Sequence, residues 1–85
     1  MFEGMTQRER LEWLILDDQR MLAEAQGCKD RHRDAYIARL KGEPIDHSPG
    51  TDTEWFRDAF IRWDIQHRDC YAEMIRRRAE LEALA

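Results

Sequence analysis

The sequence predicts an all-α fold, an antiparallel hairpin of two long helices spanning about residues 6–42 and 52–84. Three observations support this. Apolar residues recur at helical spacing through two long segments. The stretch EPIDHSPG, residues 43–50, is the one place between them where Pro and Gly cluster. A capping-box pattern stands at the head of each segment.

The first helix is marked by Thr6-Gln7-Arg8-Glu9. A hydroxyl at the N-cap and a carboxylate three residues later each satisfy a backbone N–H that the first turn leaves without a partner. Residues 1–5 precede this signal and are expected to fray. Leu11, Leu14, Ile15, Met21, Leu22, Ala25, Tyr36 and Leu40 then follow a helical period, with His32 in step. The pattern runs to Lys41-Gly42, where glycine suits a C-cap. Gly27 is its weak point, because an interior glycine costs about 1 kcal/mol relative to alanine. A split near residues 26–28, giving three helices, is the alternative to one continuous helix.

Residues 43–51 form the expected loop. Pro44 and Pro49 cannot donate backbone hydrogen bonds, and each biases its preceding residue away from helix. Thr51-Asp52-Thr53-Glu54 offers a second capping box, with acidic residues where the helix dipole favours them. The second helix shows an apolar stripe at near-heptad spacing: Phe56, Ala59, Phe60, Trp63, His67, Cys70, Met74 and Leu81.

Length and composition narrow the class. The 85 residues make one domain, and the charged share of 38% suits a thinly cored helical protein with a large solvated surface. The chain has no Asn, 4 Gly and 2 Pro, so long elements and few turns are expected. Fourteen basic and 18 acidic residues give a formal net charge of −4. The signs alternate along the chain, as on helix faces carrying i,i+4 pairs. Two short basic clusters, Lys29/Arg31/Arg33 and Arg76–Arg78, are interrupted or followed by acids, unlike the continuous basic stripe of a nucleic-acid interface. No apolar run approaches the roughly 20 residues a membrane span needs. MFEGMTQRER lacks the layout of a signal peptide, and a cytoplasmic location is expected. There both cysteines would stay reduced.

The second helix carries more apolar residues than one stripe uses. Ile61, Ile65, Ala72, Ile75, Ala79 and Ala83 form a second series on roughly the opposite face, with a weaker counterpart in Trp13, Leu16 and Ala38 of the first helix. A lone hairpin has one inner face and cannot bury both series. Association as a homodimeric four-helix bundle is the simplest expectation. Asp18, near the middle of the first apolar stripe, either bonds across an interface or reaches water at the stripe edge.

Chemistry, if present, lies in the cysteines and histidines. Cys28 and His32 are four residues apart, and His67 and Cys70 three apart, so each pair shares a helix face. A turn centred near residues 47–50 sets Cys28 opposite Cys70 and His32 opposite His67. Two Cys and two His converging in this way are the donor set of a tetrahedral zinc site. The simpler and favoured reading is two reduced core cysteines beside buried or half-buried histidines; the zinc site and a reversible Cys28–Cys70 disulfide are the alternatives. His32 and His67 also open a near-repeat, H-R-D-A-Y at 32–36 and H-R-D-C-Y at 67–71. A Cys70–His67 dyad is conceivable, but no Gly-rich phosphate loop and no carboxylate pair set apart from the general charge pattern accompany it.

The resulting functional expectation is a non-catalytic adaptor or inhibitor that binds another, larger protein and needs no cofactor. A zinc-stabilised module and a nucleic-acid-binding regulator are the alternatives. Candidate contact residues are Trp13, Trp55, Ile61, Ile65, Arg76, Arg77 and Arg78, since aromatic and arginine anchors dominate interface energetics. Trp55 has a second role open to it, as a hydrophobic staple at the helix start. In layout the chain is similar to helical-hairpin dimers such as the plasmid copy-number regulator Rop. In size and composition it resembles the small proteins that phages and mobile elements use to block host enzymes.

Overall fold

The computed structural model describes residues 3–44 and 52–84. Two helices, α1 (Gln7–Lys41) and α2 (Thr53–Ala83), pack against each other as an antiparallel hairpin. The molecule measures 54 × 22 × 14 Å, so it is a single layer of helices with no second layer above or below.

The first cap is the one the sequence predicts. The Thr6 amide donates to Glu9 Oε1 and the Glu9 amide donates to Thr6 Oγ1, both at 3.1 Å. Gly42 closes α1 in the left-handed region, with φ +75°, and its N–H reaches the carbonyls of Ala38 and Arg39. The helix runs unbroken through Gly27, so the three-helix alternative is not realised. Packing along α2 offsets one unfavourable glycine. The second cap differs from expectation. Thr51 lies outside the described residues; Asp52 is the N-cap and makes no side-chain capping bond.

The seam between the helices follows an alternation of four and three residues, with Ala59, 1% exposed, buried beside it. In α1 it runs Leu11, Ile15, Asp18, Leu22, Ala25, Lys29, His32, Tyr36, Arg39, and each of these is buried or half-buried. In α2 it runs Phe56, Phe60, Trp63, His67, Cys70, Met74, Arg77, Leu81, and again none is exposed. This is coiled-coil geometry, in which a 3.5-residue repeat keeps one stripe facing the partner helix. Phe56 is completely buried, with the Arg39 guanidinium 5.8 Å from its ring centroid. Leu40, expected in the core, falls one position past the seam and is 64% exposed.

Charged residues therefore occupy seam positions, and they fix the register. Asp18 is 3% exposed. Arg77 Nη1 donates to both of its carboxylate oxygens, at 2.6 and 2.7 Å. Nearer the loop, Lys29 Nζ donates to Asp64 at 3.4 Å, and Arg68 also holds Asp64, at 3.1 Å. Sliding one helix past the other by a heptad, roughly 10 Å, would leave a buried carboxylate without its arginine. The outer surface carries the i,i+3 and i,i+4 pairs expected from the alternating charges, such as Arg20 between Asp17 and Glu24. Exposed pairs of this kind contribute little each.

Candidate functional site

The candidate zinc constellation does not assemble; Cys28 and Cys70 are free thiols, half-buried and buried, and His32 and His67 are half-buried, as the simpler reading has it. No group of three or more potential ligands stands together among the described residues. The reason is register. Cys70 faces Asp18, its thiol donating to the Asp18 carbonyl at 3.6 Å. Asp18 lies ten residues before Cys28. Lys29, next to Cys28, pairs instead with Asp64, six residues before Cys70 and so about 9 Å away along α2. The assumed turn at residues 47–50 set the two helices too far along each other. His32 consequently packs edge-on against Trp55, with ring centroids 5.4 Å apart, rather than facing His67. Both cysteines are free thiols, so the disulfide alternative is not formed either.

The two thiols sit in different surroundings. Cys70 is buried, and burial pushes its thiol above the ordinary range, with the Asp18 carboxylate adding to the effect. That is the setting of a structural cysteine, since a nucleophile needs the thiolate. Cys28 is half-buried, and Arg31 Nη2 lies 3.2 Å from its sulfur. The near-repeat is not structurally equivalent in its two copies: Tyr36 sits in the seam, whereas Tyr71 is 52% exposed.

The three arginines of the 76–78 cluster separate. Arg77 turns inward to Asp18 and also approaches Glu73 at 3.3 Å, so it belongs to the fold rather than to an outward contact surface. The Asp18 hydrogen bonds hold its guanidinium more firmly protonated than usual. Arg76 lies over Glu73 one turn back. Arg78 is exposed and makes no ion pair among the described residues.

The other candidate contact residues, Trp13, Trp55, Ile61 and Ile65, are apolar and exposed. Trp13 and Trp55 are 38% and 42% exposed. Trp55 is the third residue of α2 and meets the rings of His32 and Phe56 edge-to-face, at 5.4 and 5.3 Å; a staple would join the N′ position, Thr51, which lies outside the described residues, to Phe56. Along α2, Ile61 and Ile65 are each 46% exposed and Ile75 is 45% exposed. With Arg68, Ala72 and Ala79 they complete a second four-three series, 61-65-68-72-75-79, in which all six residues are exposed. This ridge lies on the side of α2 turned away from α1. A shallow groove of about 530 Å³ also opens between the helices, lined by Met21, Glu24, Arg62, Trp63 and Gln66.

No described helix is long and apolar enough to cross a membrane. Comparison with protein-family models, curated proteins and solved structures finds no match.

Proposed function

We infer that this protein is a non-catalytic protein-binding hairpin, an adaptor or inhibitor that acts by covering surface on another protein. The observation that carries this is the ridge of α2. Surface positions of a two-helix unit are normally charged, yet here three isoleucines and two alanines repeat the spacing of the buried seam on the opposite side. Each isoleucine left half in water forgoes about 1 kcal/mol of burial. The ridge is rimmed by polar and charged groups, including Asp64, Asp69, Arg62 and Arg78, as binding patches commonly are. Trp55, 42% exposed at the loop end of α2, adds an aromatic anchor, whereas Trp13 is exposed on the outward side of α1 and lies off the ridge.

The test is capture from the native host with the wild-type protein and with the Ile61→Glu/Ile65→Glu variant, followed by binding of the purified captured protein. The variant should keep its far-ultraviolet circular dichroism and bind at least about tenfold more weakly. A variant that folds and binds the captured protein as well as wild type removes the ridge from any binding role.

A further inference from the structure

We propose that the α2 ridge is built for a second copy of this chain, packed antiparallel across a two-fold axis that passes beside residue 70. This rests on the reading of the ridge as a protein-binding surface and gives it a resting occupant, which a foreign partner would displace.

The ridge is self-complementary when read against itself in reverse. Antiparallel coiled coils pair each inner position with the alternate inner position of the facing helix. Applied to the series 61-65-68-72-75-79, this sets Ile61 against Ala79 of the second copy, Ile65 against its Ile75, and Arg68 against its Ala72. The reciprocal contacts follow by symmetry. Outer layers pair a large residue with a small one, so the helices can approach closely. The one charged ridge residue, Arg68, meets an alanine and can lean out to Asp64, which it already holds at 3.1 Å.

The charges beside the ridge fit the same register. Arg78 and Asp69 make no ion pair within their own chain among the described residues. They flank the ridge on opposite sides. On one flank, Arg78 comes level with Asp64 of the second copy, and the two copies of Tyr71 meet near the axis. On the other flank, long helical side chains point towards their own N-terminus. Arg76 leans that way in this structure, onto Glu73. That tilt brings it level with Asp69 of the second copy. Two exposed charges with no ion pair in their own chain among the described residues thus each gain a partner of opposite sign.

The assembly is flat, in the order α1, α2, α2, α1. It is not the square four-helix bundle that the sequence suggests, because the ridge faces directly away from α1 and a square bundle would draw on the flanks of the seam.

Light scattering on the eluting protein should give twice the chain mass of 10.3 kDa. Ile65→Glu should return it to monomer with its helical signal retained. Strand direction is read with cysteines placed in a Cys28→Ser/Cys70→Ser background. Ile61→Cys mixed with Ala79→Cys should cross-link, and Ile61→Cys alone should not. A wild-type monomer overturns the proposal, as does a dimer indifferent to Ile65→Glu. Self-cross-linking of Ile61→Cys overturns the antiparallel arrangement. A monomer whose ridge still binds a foreign protein would end self-pairing and leave the functional assignment intact. A ridge-dependent dimer that captures no foreign protein would do the reverse.

Discussion

Replacing Arg77 with methionine tests what the polar layer of the seam does. Methionine keeps most of the aliphatic stem and removes the guanidinium. The Asp18 side chain is 5% exposed, and Arg77 supplies both of its short hydrogen bonds. Removing one member of a buried pair costs about 3–5 kcal/mol, because the other charge stays behind uncompensated. The hairpin is only 14 Å thick, so water lies one side chain away and the lower end of that range applies. About 3 kcal/mol is the expected loss for Arg77→Met. The converse change, Asp18→Leu, is expected to cost only about 1 kcal/mol, since an unpaired arginine at the rim can rehydrate. Arg77 is 22% exposed and keeps Glu73 at 3.3 Å. The double variant should lose only about 1 kcal/mol, giving a coupling of roughly 3 kcal/mol. Urea unfolding followed by circular dichroism, at one fixed protein concentration, measures all four proteins. Equal losses in the two single variants, or additive losses in the double, would refute the asymmetric-burial argument.

The two described helix-associated glycines should respond oppositely to alanine. Gly27→Ala meets nothing within 4 Å in a helix interior and should stabilise by about 0.5–1 kcal/mol. Gly42→Ala has equal room but sits at φ +75°, and should destabilise by about 1 kcal/mol in the same urea titration. Thiol labelling followed by mass spectrometry should modify Cys28 first and Cys70 only on unfolding, because burial holds the Cys70 thiol neutral; equal rates would contradict its buried setting. Glu9 is held below the usual carboxylate range by its hydrogen bonds from the Thr6 backbone and side chain. Its contribution is therefore present at neutral pH and is lost as pH falls through the lowered folded value. Glu9→Gln should accordingly show a shallower loss of stability on acidification than wild type.

The helices were legible because the signals are local. Thr6 and Glu9 carry the first cap within four residues, and the stripe from Phe56 to Leu81 needs only periodicity. The apolar ridge on α2 followed from the same periodicity shifted around the helix. Register was not legible. It depends on which charged residues occupy seam positions, and hydrophobicity alone skips Lys29, Arg39 and Arg77. Extending the four-three spacing from Leu11 and from Phe56 lands on all three, so the signal was there in the spacing and hidden by residue type. With the register displaced, Cys28, His32, His67 and Cys70 looked convergent when they are not. Arg77 looked like an outward contact because its partner, Asp18, lies 59 positions away in the chain.

The ridge makes the two helices unequal in the sequence change they can absorb. On α2 one long side must mate with α1 while the reverse side keeps its isoleucines for docking, so free positions are confined to two narrow strips between them. The outward side of α1, from Arg20 past Gly27 to Asp34, bears no such second duty. A saturation library scored for folding and for binding together should find α2 intolerant on both sides, and α1 permissive along its outer side once folding is preserved.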